Sequence, residues 1–467
     1  MYAVRIMPPQ WFKERIKIIM EHDLIVVGAG PGGHAAALEA SQAGASVVIV
    51  DRGSWGGTCT HWGCIPTKAL LASSRKFAEL KKLKRLGITV SNPSFDFSVM
   101  KRHQQQMVRV SALGVRKFLE ESGVEIKEGE GTILAPGEVE IVAADGGEDR
   151  IKARTIVIAW GSETAMLPGV EKSDRILDSK DVLAMNTLPS SIIIVGGGAI
   201  GVEFATFMAE CGVNVTIVEL MDQILPYEEP EAAMFLKNEL GKLGITIHTS
   251  TKMESLTEVD GAVYLKAQSE EGSTELVADH ALICVGRKPV LRTDELDRLS
   301  IRYDQKGISV DHRLMTNVKN IYAVGDVTGG ILLAHRAMAQ GHAVANNLFG
   351  DRSISYSDEF IPVVAYTHPN IARVGLTERS AREQGLNIEI RSVEYGGNIM
   401  ARTELMGNGF VKTIFSDDRI VGATIAGDEA SELIAPMSLT VANQMGIKEL
   451  KSWVIPHPSL SELLNSW

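Results

Sequence analysis

Two glycine-rich turns, each set between an apolar run and a run of small residues, restrict the possible folds of this chain more than any other feature. The first is Gly28-Ala29-Gly30-Pro31-Gly32-Gly33, after the apolar segment His22–Val27. The second is Gly196-Gly197-Gly198-Ala199-Ile200-Gly201, after the apolar run that begins at Ile192. A strand that ends in G-x-G-x-x-G and opens a helix is the start of a parallel βαβ unit. Its glycines allow a tight turn, let backbone N–H groups approach a pyrophosphate, and bring the helix onto the strand. A carboxylate follows each turn after 23 residues, Asp51 in one case and Glu219 in the other. Each ends the next apolar run, where it is placed to accept from a ribose hydroxyl. The turns begin 168 residues apart, too far for a solenoid repeat. The expected fold class is therefore α/β, with two Rossmann-like dinucleotide-binding domains.

The rest of the chain fills in around them. Residues 67–86 read as an amphipathic helix with Leu70, Leu71, Phe77, Leu80 and Leu83 on its apolar side. Residues 245–285 alternate apolar and polar, the pattern of a β-meander. From about Tyr356 short strands such as Phe410–Phe415 alternate with helices such as 429–445, which is an α+β C-terminal domain. No low-complexity linker separates the parts, so they are expected to pack closely.

Composition removes several classes of function. The chain has 47 Lys+Arg against 58 Asp+Glu, a formal net charge of −11. Nucleic acid and anionic lipid both need a basic surface, so neither is an expected partner. No apolar stretch is long enough to span a membrane. Only four cysteines occur, Cys59, Cys64, Cys211 and Cys284, which fits a cytoplasmic protein better than a secreted disulfide scaffold.

Glu219 bears on cofactor choice, because a carboxylate there repels a 2′-phosphate. Between Thr216 and Leu236 there is no Lys or Arg, which favours NAD over NADP. Cys59 and Cys64 flank Thr60-His61-Trp62-Gly63. No second Cys or His pair follows, so a zinc site is not expected. Positions five apart on a regular helix lie about 140° apart, so a bond between them needs a distorted first turn, with Gly63 supplying the freedom. Two nearby cysteines can equally be buried bystanders, the role assigned to Cys211 and Cys284. Gly325-Asp326 after a strand, and His457 with Glu462 five residues on, read either as a turn and a structural histidine or as a ligand contact and an oriented general base.

Together these motifs give a resemblance. From about Met20 to its end the chain resembles the flavin-dependent pyridine nucleotide–disulfide oxidoreductases, most of all their lipoamide branch. The segment Gly56-Gly57-Thr58-Cys59 through Cys64-Ile65-Pro66-Thr67-Lys68 is similar to that family's redox signature nearly letter for letter. Leu333-Ala334-His335-Arg336-Ala337 also looks like the lipoamide branch. The resemblance implies an extension at 1–19, an FAD-binding domain in two parts (20–165 and 288–355), an NAD-binding domain at 166–287 and a dimerisation domain at 356–467. It implies FAD bound by Gly28, Gly30, Gly33, Asp51, Gly57, Thr58, Lys68, Gly161, Asp326 and Ala334. NAD falls to Gly196, Gly198, Ile200, Gly201, Glu203, Glu219 and Gly286. Cys59 is then the interchange thiol, Cys64 the charge-transfer thiol, and Lys68 pairs with Glu203 near the flavin. His457, oriented by Glu462, is the acid–base contributed by the partner subunit of a homodimer. The implied reaction is NAD-dependent oxidation of dihydrolipoamide on a lipoyl-bearing protein of a 2-oxo acid dehydrogenase complex or a glycine cleavage system.

Some positions depart from the family pattern. Asp51 stands where Glu is common, Trp160 where Thr is usual, Val290 where Asn is usual, and Trp62 is bulky for the redox loop. None removes a reacting group. The rival readings are another flavin-dependent disulfide or metal reductase, and a flavin-binding complex component without turnover.

Overall fold

The apolar runs His22–Val27, Val47–Asp51 and the end of Glu148–Ile158 lie side by side as parallel strands. This is the arrangement in the computed structural model, which describes residues 22–350 and 356–466; the expected extension at 1–19 lies outside the described residues. Glu125–Glu128 adds beyond Val47–Asp51, and Ile321–Ala323 arrives from far along the chain to pair with Glu148–Ile158. Both faces of a parallel sheet are covered, so its strands are apolar at consecutive positions rather than alternate ones. Leu24, Ile25 and Val26 are accordingly all 0% exposed. Burying each such side chain contributes roughly 1.5–3 kcal/mol.

Helix Pro31–Gln42 leaves the first glycine turn with Pro31 in its first turn, where the missing N–H costs nothing. Its small residues let helix Ala334–Phe349 approach closely: a Cβ on Gly341 would sit 2.3 Å from the Gly32 carbonyl oxygen. The second unit repeats the plan. Strand Ser191–Val195 is flanked by Asn214–Val218 and Thr246–His248 on one side, and by His280–Ile283 and Ile176–Leu177 on the other, all parallel. The meander is narrower than the alternation predicts. It comprises Lys252–Val259, Ala262–Ser269 and Gly272–Ala278, and the two ends of the 245–285 window belong to the parallel sheet instead. An antiparallel pair, Ser162–Thr164 against Arg287–Pro289, stands where the chain leaves the first unit and returns to it. The last part is a five-stranded antiparallel sheet from Val363 to Gly427, packed by helix Ala430–Ala442.

One apolar cluster crosses all three parts. It joins Leu70 and Leu71 to Ile192, Val202 and Phe207, and to Ala365, Ile371 and Ala426. The close packing expected from the absence of linkers follows from this shared core. Among the described residues, no helix is long and apolar enough to cross a membrane.

Candidate active site

The cysteine loop is where the local sequence departs furthest from a regular element. Helix Gly57–Trp62 carries Cys59, and helix Cys64–Glu79 begins at the second cysteine. Gly63 between them takes φ −141° and ψ −112°, and a Cβ there would come within 3.0 Å of the Thr58 carbonyl oxygen. The distortion expected at Gly63 is a full break between two helices. The second starts three residues before the predicted 67, because Pro66 is tolerated in a first turn. It stops at Glu79, so Leu80 and Leu83 lie beyond it.

The cysteines stand as two thiols, and they are not equivalent. A hydrogen bond from Cys59 and the nearby Lys68 ammonium together outweigh burial and lower the Cys64 pKa to about 7. The same hydrogen bond, with burial, pushes the Cys59 thiol well above its ordinary value. A thiolate is the reactive form of cysteine and is favoured beside a cation and at a helix N-terminus. Lys68 Nζ lies 2.8 Å from Glu203 Oε2 and 4.4 Å from the centre of the Tyr366 ring. Glu203, 5% exposed, also accepts from the Tyr366 backbone N–H at 3.0 Å. One ion pair therefore joins the redox helix, the helix of the second glycine turn and the C-terminal part. Tyr366 was missed in the sequence, where nothing near it marks a site.

A cavity of about 1900 Å³ runs past this point, lined by both glycine turns, both cysteines, Lys68 and Glu203. It fits an extended dinucleotide at each turn. Nothing lies within 4 Å of the Cβ position of Gly30 or of Gly198, so each turn leaves open space in front of its helix N-terminus, where a pyrophosphate binds. Gly28, Asp51, Gly57, Thr58, Gly161, Asp326 and Ala334 line the first arm, and Gly196, Ile200, Glu219 and Gly286 the second. Gly33 and Gly201 do not line it, against the expectation that they touch the cofactors. Their Cβ positions fall 1.8 Å from the Gly28 oxygen and 2.0 Å from the Gly196 oxygen, so they serve helix-to-strand packing.

The two acids have more work than the spacing indicates. Asp51 accepts from Ala29 N–H at 2.8 Å and Ser54 N–H at 2.7 Å. Glu219 accepts from Gly197 N–H at 2.5 Å and Met221 N–H at 2.7 Å. Each carboxylate fixes its own glycine turn and keeps lone pairs for a ligand. Asp326 accepts from Ser162 Oγ at 2.5 Å, and that hydroxyl accepts from Arg287 Nε at 2.8 Å. Arg287 directly follows Gly286 in the sequence, where nothing marks it as a partner of Asp326. A cation does lie beyond the Thr216–Leu236 stretch: Lys252 lines the cavity next to Thr251, whose N–H bonds the Glu219 carbonyl oxygen at 2.9 Å.

His457 and Glu462 are together but apart from the cysteines. His457 Nδ1 lies 2.9 Å from Glu462 Oε1, and Glu462 Oε2 accepts from Ser459 N–H at 2.9 Å. These contacts, the backbone donor first, hold the Glu462 carboxyl below its usual range. The His457 side chain is 76% exposed and does not line the cavity of its own chain. Cys211 and Cys284 are buried, with burial raising both thiols. No cluster of three or more His, Cys, Asp or Glu suited to a metal occurs among the described residues.

Comparison with known proteins agrees with this geometry. Residues 22–341 match the family described as pyridine nucleotide-disulphide oxidoreductase, and residues 361–466 its dimerisation domain. The chain is 34% identical over 448 residues to a dihydrolipoyl dehydrogenase from Zymomonas mobilis, covering 95% of this chain and 96% of that one. It is 35% identical to one from Halobacterium salinarum, covering 94% of each. Among solved structures, LpdA from Mycobacterium tuberculosis superposes with a TM-score of 0.89 at 27% identity, covering 95% and 98%. The HOCl-induced flavoprotein disulfide reductase RclA from Escherichia coli, solved as a Cu(II) complex, gives 0.84 at 26% identity with the same coverage. The protein therefore belongs to the pyridine nucleotide-disulphide oxidoreductases, enzymes that work with FAD and NAD(H).

Proposed function

We propose that the protein oxidises dihydrolipoamide to lipoamide and reduces NAD⁺, working as a homodimer on a lipoyl-bearing protein of a 2-oxo acid dehydrogenase complex or glycine cleavage system in the cytoplasm. The observation that carries this reading is the pair of unequal thiols, Cys59 and Cys64, at the junction of two dinucleotide arms. In the first arm the Gly28–Gly30 turn and Asp51 hold the ADP half of FAD and Asp326 its ribityl chain. Gly57, Thr58, Gly161 and Ala334 complete the wall, and Lys68, tied to Glu203, stands by the flavin. Gly196, Gly198, Ile200, Glu219 and Gly286 hold NAD in the second arm.

The working cycle starts from the Cys59–Cys64 disulfide. His457 of the second copy, oriented by Glu462, takes a proton from one thiol of dihydrolipoamide. The thiolate attacks Cys59 Sγ, the Cys59–Cys64 bond breaks, and Cys64 leaves as a thiolate beside Lys68. The second lipoyl thiol then attacks the mixed disulfide, lipoamide leaves, and the proton of that thiol ends on Cys59. When bound, FAD would supply the two-electron acceptor and the hydride donor to NAD⁺; as the disulfide re-forms from the Cys59 thiol and the Cys64 thiolate, one of the two lipoyl protons leaves with the hydride and the other is released from His457 to solvent.

The carboxylate of Glu219, 7% exposed and held by two N–H groups, supports NAD over NADP. The similarity to an E. coli disulfide reductase caught with Cu(II) supports, as a second reading, reduction of another disulfide or a metal ion. Steady-state rates with lipoamide, glutathione disulfide and Cu(II), each with NADH and NADPH, separate them. Lipoamide with NADH should be fastest by at least tenfold; a higher rate with either other acceptor overturns the proposal.

A further inference from the structure

Trp160 stands on the wall of the large cavity, with its indole N–H buried away from that wall, so the ring itself is what the cavity meets. One face of the ring carries the Arg292 guanidinium, 4.9 Å from the ring centre. That guanidinium is held on three sides, by the Gly131 carbonyl oxygen at 2.7 Å, Glu130 at 2.5 Å and Glu295 at 3.2 Å. Glu295 is in turn fixed by the Ile133 N–H at 2.8 Å.

These contacts locate the ring along the first arm. Glu130 also pairs with Arg52 at 3.0 Å, and Arg52 directly follows Asp51, the acid of the first fingerprint. Two residues beyond Trp160 in the other direction, Ser162 bonds Asp326. Trp160 thus lies between the Asp51 end and the Asp326 end. We infer that the Trp160 ring, backed by Arg292, is a contact surface for the adenosine diphosphate half of FAD. The inference rests on the proposed assignment of this arm to FAD. Its physical basis is that an aromatic face made rigid by a clamped cation gives contact area at little cost in side-chain freedom.

The test uses the full chain stripped of flavin and titrated separately with FAD and with ADP, read by quenching of tryptophan emission and by dissociation constant. Trp160→Thr should weaken both ligands by about ten- to a hundredfold, the range for losing a stacked aromatic. Trp160→Phe, which keeps a smaller ring, should fall between. FAD and ADP affinities within twofold of wild type in Trp160→Thr, or a loss for FAD with none for ADP, overturn the inference. If Trp160→Thr does not fold, Phe is compared with Leu: tighter binding by Phe, by about fivefold or more, supports the contact, and equal binding overturns it. Wild-type protein that takes up no FAD at all removes the assignment of the arm itself, before any variant is made.

Discussion

Single residues decide the chemistry through charge. Cys64 carries a pKa of about 7, held below the ordinary thiol value by the Cys59 hydrogen bond and by Lys68 against burial. A depressed acid favours its charged form, so this contribution is present above the ordinary thiol pKa and fades as pH falls through about 7. In the two-electron-reduced protein, the long-wavelength absorbance of a thiolate beside a flavin should titrate with a midpoint near 7 and be absent in Cys64→Ser with FAD still bound. A band that persists unchanged to pH 5 contradicts this. Glu219 makes a second prediction, and Lys252 sharpens it. Removing the carboxylate in Glu219→Ala removes the repulsion of a 2′-phosphate and leaves Lys252 as a cation on the cavity wall. The NADH-over-NADPH preference in kcat/KM should then shrink by at least tenfold, equivalent to ~1.4 kcal/mol. An unchanged ratio excludes Glu219 as the discriminator. Neighbours in sequence such as Gly56 to Lys68 were readable because their chemistry is local. Tyr366 and Lys252 were not, since only the tertiary fold brings Tyr366 to Glu203 and Lys252 to the cavity wall.

Elements show where patterns are sufficient and where they fail. The strand–turn–helix units were legible because their glycines do geometric work that no other residue can do. Gly33 is the clearest case: its Cβ position is 1.8 Å from the Gly28 oxygen. Gly33→Ala should destabilise the chain by roughly 1–3 kcal/mol as helix Pro31–Gln42 is pushed off its strand. A urea-unfolding midpoint lowered to match, with poorer FAD retention, checks this; an unchanged midpoint refutes it. The helix predicted over 67–86 missed in both directions for one reason. Apolar periodicity reports which face is buried, not where hydrogen bonding starts and stops. The break at Gly63 is set by the short distance between two turns, and no period in the sequence encodes it. The 245–285 window failed similarly, since an antiparallel meander is framed there by two parallel strands within one apolar rhythm.

At the scale of the whole molecule, the division of labour becomes visible. The cavity joins two dinucleotide arms at Cys64, Lys68 and Glu203, yet the only His–Glu pair assigned to proton transfer is exposed on the C-terminal part of the same chain. A dithiol reaction needs a base within about 3 Å of the incoming thiol, so the account requires a second copy to bring His457 to Cys59. The most direct measurement is lipoamide turnover by a heterodimer with one Cys59→Ser subunit and one His457→Gln subunit, isolated by two different tags. If cysteines and base come from different subunits, one site of the two is intact and one carries both defects. The heterodimer should then turn over at about half the wild-type rate, while each mutant homodimer is lower by about 10²-fold or more. A heterodimer as inactive as its parents would contradict the account, because the base would then act within its own chain or not at all.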